Sequence, residues 1–172
     1  DGTSISYNAF FMKAAAIALK GFPYLTASLV EEEIIYHEEI NIGLAMEADE
    51  GLIVPVIRSV DQLTLQQIEY KIRELIEKVR NKNHTPDDLS GGTFTITNLG
   101  AFGIDAFTPI INPGQAAILG IGEISERTVV EKGKIGIRPV SILSLTFDHR
   151  LIDGVPASRF LRKIRDTIEN NF

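Results

Sequence analysis

Residues 140–154, VSILSLTFDHRLIDG, join a strand pattern to a histidine motif, and the rest of the chain can be placed around them. Apolar and small polar residues alternate from 140 to 146, which predicts a β-strand. An amphipathic helix is predicted at about 155–170. The motif at 147–154 therefore lies at a strand end, where a rigid support presents loop side chains to a ligand.

The composition is typical of one globular domain. A chain of 172 residues with 44% hydrophobic residues is long enough to bury a core. The net charge of −6 argues against a general nucleic-acid binder, and no apolar run approaches the roughly 20 residues of a membrane helix. The absence of cysteine excludes disulfides, thiolate catalysis and cysteine-bearing zinc sites, and is compatible with a cytoplasmic setting.

Periodicity predicts a mixed α/β architecture. Helical patterns cover 7–20, with Ser6 as a cap, and 65–83, with apolar residues on one face. Extended patterns lie at 33–37, 41–47, 52–57, 93–97 and 115–122, and a hairpin is predicted around 132–134. Because there is no regular βαβ repeat, we predict a two-layer α+β sandwich: a mixed β-sheet with helices packed on one face.

The glycine-rich stretch after the predicted strand 93–97 is a candidate phosphate loop. Residues 98–103, NLGAFG, lack the spacing that ends in Gly-Lys-Ser/Thr, and no helix pattern follows them. We therefore reject a nucleotide-binding loop. A turn at the end of a strand is the simpler interpretation.

The three histidines differ in their surroundings. His37 lies beside acidic neighbours and His84 in a polar loop, so both are predicted at the surface. No histidine pair or carboxylate cluster has metal-ligand spacing, so no metal is expected. His149 is the candidate general base, for a thiol or an activated hydroxyl, and the strand-end hydroxyl of Thr97 has the chemistry to stabilise an oxyanion.

A structural interpretation of the histidine motif stands beside the catalytic one. His149 could be an ordinary loop histidine, with Asp148 and Arg150 as a local ion pair and Asp153-Gly154 as a turn. The motif alone does not decide between the two interpretations.

Several blocks of the sequence, in order, resemble the catalytic domain of the dihydrolipoamide acyltransferases, the core component of 2-oxo acid dehydrogenase complexes. The blocks are Asn41-Ile42-Gly43-Leu44-Ala45, Gly51-Leu52-Ile53-Val54-Pro55-Val56, Thr93-Phe94-Thr95-Ile96-Thr97-Asn98-Leu99-Gly100, Ile110-Ile111-Asn112-Pro113, Ala117-Ile118-Leu119-Gly120 and Asp148-His149-Arg150 with Asp153-Gly154. The resemblance runs from Ser6 to the last helix and favours the catalytic interpretation.

The resemblance implies a chloramphenicol acetyltransferase-like fold and a homotrimer that assembles into a larger core. Coenzyme A is then a substrate, and the lipoyl group belongs to a separate lipoyl domain. The 2-oxo acid decarboxylase and dihydrolipoamide dehydrogenase subunits are implied partners, through domains other than this one. The implied compartment is the cytoplasm, or the mitochondrial matrix in a eukaryote.

The resemblance also implies roles for individual residues. His149 takes the proton of the attacking thiol, Thr97 of a neighbouring subunit donates to the oxyanion, and Asp153 helps to hold the histidine loop. The implied coenzyme A contacts are Ser6, Asn98 and Gly122. Glu47 stands where some relatives have an aspartate near the cofactor, and its longer side chain puts that contact in doubt.

Residues 1–172 are thus interpreted as an acyltransferase catalytic domain without its N-terminal part, and without a lipoyl or peripheral-subunit-binding domain. Acetyl or branched-chain acyl groups are the expected donors. The rival hypotheses are a catalytically silent structural core that binds partner subunits, and an O-acetyltransferase of the same fold that acts on a small alcohol.

Overall fold

The computed structural model describes residues 4–49 and 51–171, so residues 1–3 and Glu50 lie outside the description below. The described helices are α1 Tyr7–Leu19, α2 Leu65–Arg80 and α3 Gly154–Asn171. The strands of the amino-terminal half are β1 Ser28–Val30, β2 Glu33–Ile35, β3 Ile42–Ala48, β4 Gly51–Ile53 and β5 Val56–Ile57. Those of the second half are β6 Phe94–Asn98, β7 Ala117–Ile121, β8 Ser125–Glu131, β9 Lys134–Val140 and β10 Leu143–Phe147.

The main sheet is mixed, as predicted. Its strand order is β10-β7-β6-β3-β4, with β5 also paired to β3. Strands β3, β6 and β7 run parallel to one another, whereas β4 and β5 pair antiparallel with β3, and β10 pairs antiparallel with β7. Two separate two-stranded ribbons, β1-β2 and β8-β9, complete the described strands.

The helices and the sheet share one apolar core. Alternate residues of β6, Phe94 and Ile96, are fully buried there, and the ring of Phe160 from α3 meets Phe94 edge-on at a centroid distance of 5.7 Å. Because side chains alternate across a strand, Thr95 and Thr97 point to the other face of the sheet. The prediction of helices packed on one face is confirmed.

Local signals explain the first two helices. Ser6 caps α1 by accepting a hydrogen bond from the Ala9 amide, as predicted, and a run of buried alanines lets α1 pack closely. Thr64 and Gln67 form a capping box at α2. The predicted end of α2 at residue 83 is wrong by three residues, because Lys82 has a left-handed φ of 55° and ends the helix.

Two predicted strands are each divided in the structure. The strand predicted at 140–146 is interrupted, because the Ser141 hydroxyl donates to the Gly122 carbonyl while the Gly122 amide donates to the Ile142 carbonyl, both at 2.9 Å. The segment predicted at 52–57 divides at Pro55, which has no amide hydrogen to donate to a ladder. Among the described residues, no helix is both long and apolar enough to cross a bilayer.

Candidate active site

The loop that carries His149 is held by its backbone on both sides. The Asp148 amide donates to the Ala116 carbonyl at 2.8 Å, which extends the pairing of β10 with β7 by one residue. The amides of Leu151 and Ile152 fold back onto the Asp148 carbonyl at 3.0 and 3.1 Å, and the Ile152 side chain is buried. His149 therefore projects from a short, well-anchored turn.

An ion pair beside the histidine strengthens this turn. Both carboxylate oxygens of Asp148 accept hydrogen bonds from the Arg150 guanidinium, and the Arg150 amide donates to the same group at 2.9 Å. The Arg150 side-chain hydrogen bonds hold the pKa of the Asp148 carboxyl below its ordinary value, against the opposing effect of burial. The pair anticipated by the structural interpretation of the motif is therefore present.

The imidazole of His149 faces solvent. Its side chain is 72% exposed, and its Nδ1 lies 3.8 Å from a carboxylate oxygen of Asp153, which is 84% exposed. That distance is too long for a hydrogen bond but places a negative charge beside the ring. Phe147 packs near the ring at a centroid distance of 5.6 Å. The imidazole thus has Asp153 and Phe147 beside it and is otherwise accessible from solvent.

Thr97 lies on the face of the sheet opposite the helices. It is half-buried on β6, level with Gly120 of β7. The space that a side chain at Gly120 would need is occupied by Phe107 and Pro109, so the connection between β6 and β7 covers this face. A methyl group at Gly120 would lie only 3.1 Å from the Phe107 ring.

A buried polar network anchors that connection two residues before Thr97. Thr95 is fully buried, and its hydroxyl donates to the Gln115 side chain at 2.7 Å while it accepts from the Asn112 side chain at 2.8 Å. Gln115 in turn donates to the Gly92 carbonyl at 2.9 Å. Sequence patterning does not reveal this network, because its members come from separate segments.

The predicted coenzyme A contacts lie together at the carboxyl ends of β6 and β7. Asn98 donates to the Asn8 side chain of α1 at 2.7 Å and accepts from the Gly100 amide at 2.9 Å. Ser6 lies two residues before Asn8, at the start of the same helix. Gly122 follows β7, and a side chain there would collide with the Asp105 backbone.

Thr97 and His149 belong to opposite ends of the sheet. Ser144 is level with Gly120, and Gly120 with Thr97, so these residues provide a common reference line across three strands. From Ser144 to Phe147, β10 covers about 10 Å toward the amino ends of β6 and β7, and two strand spacings add about 10 Å across the sheet. The resulting separation of about 14 Å or more is far beyond hydrogen-bonding distance.

The other two histidines are more enclosed than predicted. His37 and His84 are half-buried, and the Nδ1 atom of His84 is buried without a hydrogen-bond partner. Nε2 of His37 lies 2.8 Å from the Ser28 hydroxyl, which itself donates to the Gly114 carbonyl at 2.6 Å. Since that hydroxyl proton is already used, His37 is the donor to Ser28 and is not a base acting on it.

The doubtful cofactor contact, Glu47, is exposed on β3. It lines a cavity of about 600 Å³ together with Arg80, Lys82 and His84. Within 4–49 and 51–171, no group of three or more histidine and carboxylate side chains is arranged to hold a metal ion.

Sequence patterning missed Glu69, although a signal was present. Glu69 is only 2% exposed and lies on α2 between the buried residues Ile68 and Ile72. It accepts hydrogen bonds from both the amide and the hydroxyl of Ser6. An acidic residue within the apolar stripe of a helix indicates a buried partner, and that signal could have identified it.

Comparisons with known proteins identify the family of this chain. The family model for the 2-oxoacid dehydrogenases acyltransferase catalytic domain matches residues 1–172. The succinyltransferase component of the 2-oxoglutarate dehydrogenase complex from Cupriavidus necator is 44% identical over 169 residues, which are 98% of this chain and 41% of that protein. The chain thus spans about two fifths of the length of the curated relatives that it matches.

Solved structures show the same relationship. A probable dihydrolipoamide acetyltransferase from Listeria monocytogenes superposes with a TM-score of 0.95 at 40% identity, over 100% of this chain and 75% of that one. The cubic core of a pyruvate dehydrogenase multienzyme complex gives 0.90 at 38% identity, over 98% and 70%. Chloramphenicol acetyltransferase, at 14% identity and a TM-score of 0.55 over 95% and 78%, shares the fold alone, as predicted. The chain belongs to the family of 2-oxoacid dehydrogenase acyltransferase catalytic domains.

Proposed function

We propose that this domain transfers an acyl group between S-acyl-dihydrolipoamide and coenzyme A, at a site shared by two copies of the chain. The observation that carries the proposal is the placement of His149 and Thr97 at opposite ends of one sheet. A single chain cannot bring both side chains to one substrate. A second copy, docked so that its Thr97 faces His149, supplies the missing half.

His149 is the general base in this proposal. Its exposed imidazole takes the proton from the coenzyme A thiol, and the sulfur attacks the carbonyl carbon of the acyl thioester. A thiol is only a few per cent ionised at neutral pH, so a positioned base accelerates the attack by about 10² to 10⁴. When the intermediate collapses, the dihydrolipoyl sulfur leaves and receives the proton back from His149.

Thr97 stabilises the intermediate in this proposal. Its hydroxyl donates to the oxygen that becomes negative when the carbonyl carbon turns tetrahedral, and such a donor contributes about 10² to 10³ in rate. The buried network around Thr95 supports this position, because it anchors the covering connection two residues away. Asp153, whose carboxylate lies 3.8 Å from Nδ1 of His149, helps to hold the histidine loop in this proposal.

Ser6, Asn98 and Gly122 are the proposed coenzyme A contacts. Their shared position at the carboxyl ends of β6 and β7 supports one continuous binding surface beside Thr97. The lipoyl group is brought by a separate domain.

The proposed assembly is a homotrimer that builds a larger core. The relation to the cubic core of a pyruvate dehydrogenase complex supports it, and so does the half-site in each chain. The lipoyl domain, the 2-oxo acid decarboxylase and the dihydrolipoamide dehydrogenase are the proposed partners of the whole protein.

The identity of the transferred acyl group is a separate part of the proposal. The preference for acetyl or branched-chain donors is not supported by curated relatives such as those from Cupriavidus necator and Pseudomonas aeruginosa, which are succinyltransferase components at 44% identity. The solved acetyltransferase from Listeria monocytogenes is 40% identical. Succinyl is therefore the first donor to measure, and acetyl and isobutyryl are the comparisons.

The test is transacylation by the assembled protein, followed as acyl-dihydrolipoamide formation from succinyl-, acetyl- and isobutyryl-coenzyme A. We expect His149→Ala to lower kcat by about 10² to 10⁴, whereas His37→Ala retains wild-type turnover. A protein that assembles correctly but turns over none of the three donors contradicts the proposal and favours a structural core.

Complementation tests the shared site directly. His149→Ala and Thr97→Val are each expected to be nearly inactive. When equal amounts are unfolded, mixed and reassembled, about one quarter of the interfaces combine an intact histidine with an intact threonine, so about one quarter of wild-type activity returns. Activity that stays at the level of the single variants places both residues in the site of one chain.

A further inference from the structure

The buried carboxylate of Glu69 controls the start of α1. Its Oε2 accepts the Ser6 amide at 2.9 Å and the Ser6 hydroxyl at 2.5 Å, and its Oε1 accepts Nε of Arg73 at 2.6 Å. Arg73 also donates to the Ser4 carbonyl at 2.6 Å. Two residues of α2, 63 or more positions away in sequence, therefore fasten the segment that enters α1.

These contacts decide which way the Ser6 proton points. Burial opposes ionisation of Glu69, but the hydrogen bonds from Ser6 and Arg73 outweigh it and hold the pKa of this carboxyl below its ordinary value. An ionised carboxylate accepts hydrogen bonds and donates none, so the Ser6 hydroxyl must be the donor. One lone pair of the half-buried Ser6 oxygen accepts the Ala9 amide at 3.4 Å, so toward a ligand Ser6 offers only its second lone pair.

A lone pair that faces outward can bind only a hydrogen-bond donor. A phosphate has oxygen acceptors and carries negative charge, so it gains no hydrogen bond from Ser6 and is repelled by Glu69. The positive end of α1 is also already compensated by that carboxylate. A neutral N–H donor, such as an amide, fits this position.

Coenzyme A contains both kinds of group. Its nucleotide end carries the phosphates, and its pantetheine arm carries two amide N–H groups and the reacting thiol. Ser6 lies two residues before Asn8, which bonds Asn98, and Asn98 follows Thr97. This is the end of the sheet that the thiol-bearing arm must reach.

We propose that Glu69 is a positioning residue for the thiol substrate: it accepts the hydrogen bond of the Ser6 hydroxyl, so that the Ser6 oxygen is left to accept an amide N–H of the pantetheine arm. The inference rests on the proposed function. It adds the part of coenzyme A that contacts the start of α1. It also gives Glu69 and Arg73 a role in substrate binding that neither motif nor fold suggests.

Pantetheine, which lacks the nucleotide, is the probe that isolates this contact. We would measure KM and kcat of the assembled protein for coenzyme A and for pantetheine as acyl acceptors, in wild type, Ser6→Ala and Glu69→Gln. Loss of one neutral hydrogen bond corresponds to about a twofold to tenfold weaker interaction. We expect KM to rise by that factor for both acceptors alike, with kcat unchanged.

The control is Glu77→Gln, which removes the same charge from an exposed position on α2 and is expected to leave both KM values unchanged. Ser6→Ala keeps the backbone bond to Glu69, so it carries the test if Glu69→Gln does not fold. Calorimetric titration of both acceptors against each folded variant measures binding without turnover.

The outcomes separate this inference from the proposed function. An active, His149-dependent enzyme in which Ser6→Ala changes neither KM overturns the inference alone. A KM change with coenzyme A that disappears with pantetheine overturns it as well, because the contact then belongs to the nucleotide. If turnover is absent but the titrations show equal weakening for both acceptors, the proposed function fails and the binding role of Glu69 stands.

Discussion

The two ends of the main sheet are built in opposite ways. At the carboxyl ends of β6 and β7, Asn98 bonds Asn8 of α1, and Thr97 lies on the face that the β6–β7 connection covers, two residues from the buried network around Thr95. At the amino ends, His149 projects into solvent from a turn held by its own backbone and by the Asp148–Arg150 pair.

This difference has a physical reason. A group that stabilises a developing charge must be oriented before the reaction, and buried hydrogen bonds provide that rigidity. A base that meets a substrate at the boundary between two copies must remain uncovered in each copy until they assemble. In the proposed function, the chain therefore completes one half of the site internally and leaves the other half for its neighbour.

Beyond the His149→Ala variant, the largest expected effect comes from the enclosed end. Thr97→Val removes the hydroxyl but keeps the shape, so kcat should fall by about 10² to 10³ while KM for either substrate changes little. Thr97→Ser keeps a hydroxyl and serves as the control, with turnover close to that of the wild type. Steady-state kinetics measure both variants, and wild-type turnover in Thr97→Val would show that the hydroxyl is not needed.

A smaller effect, on stability, contrasts the two ends directly. Thr95→Val leaves the side chains of Asn112 and Gln115 without their buried partner, so the free energy of unfolding should fall by about 1 to 3 kcal/mol. The exposed Thr128→Val and His149→Ala should change it by about 0.5 kcal/mol or less. Urea denaturation measures all three, and a destabilised His149→Ala would mean that the open end is structurally coupled to the core.

The smallest expected effect concerns the ion pair at the open end. Asp148→Asn weakens the bidentate bond to Arg150, so the free energy of unfolding at pH 7 should fall by about 1 kcal/mol or less and kcat by about tenfold or less. Asp166→Asn removes a comparable pair with Arg165 far from the site. It should cost similar stability and leave kcat unchanged.

The pH dependence of this effect has a defined sign. Because the folded-state pKa of Asp148 is depressed, its contribution is fully present above the unfolded value of about 3.9 and is lost as pH falls through the lowered pKa. The difference in free energy of unfolding between wild type and Asp148→Asn should therefore be constant above about pH 5 and should shrink toward zero as the pH falls further. A difference that instead grows as the pH falls would show that Asp148 is not stabilised as a carboxylate.

Local patterns predicted the elements well. The helices at 7–20 and 65–83 were found within a turn of their observed ends, because periodicity and capping residues such as Ser6 act over a few neighbours. The prediction of one continuous strand at 140–146 was wrong, since Ser141 and Ile142 form hydrogen bonds with Gly122, which follows β7. No local pattern reports a partner that lies about 20 residues away.

The sequence by itself determined the mixed fold class, the family and the candidate residues His149 and Thr97, since these follow from short patterns and ordered blocks. The tertiary structure alone decided where those residues stand. It placed His149 and Thr97 at opposite ends of the sheet, because β10 runs antiparallel to β7, and it brought Glu69 to Ser6 across 63 positions. Strand direction and long-range burial are properties of the folded chain, so a list of reactive residues does not by itself reveal where those residues stand.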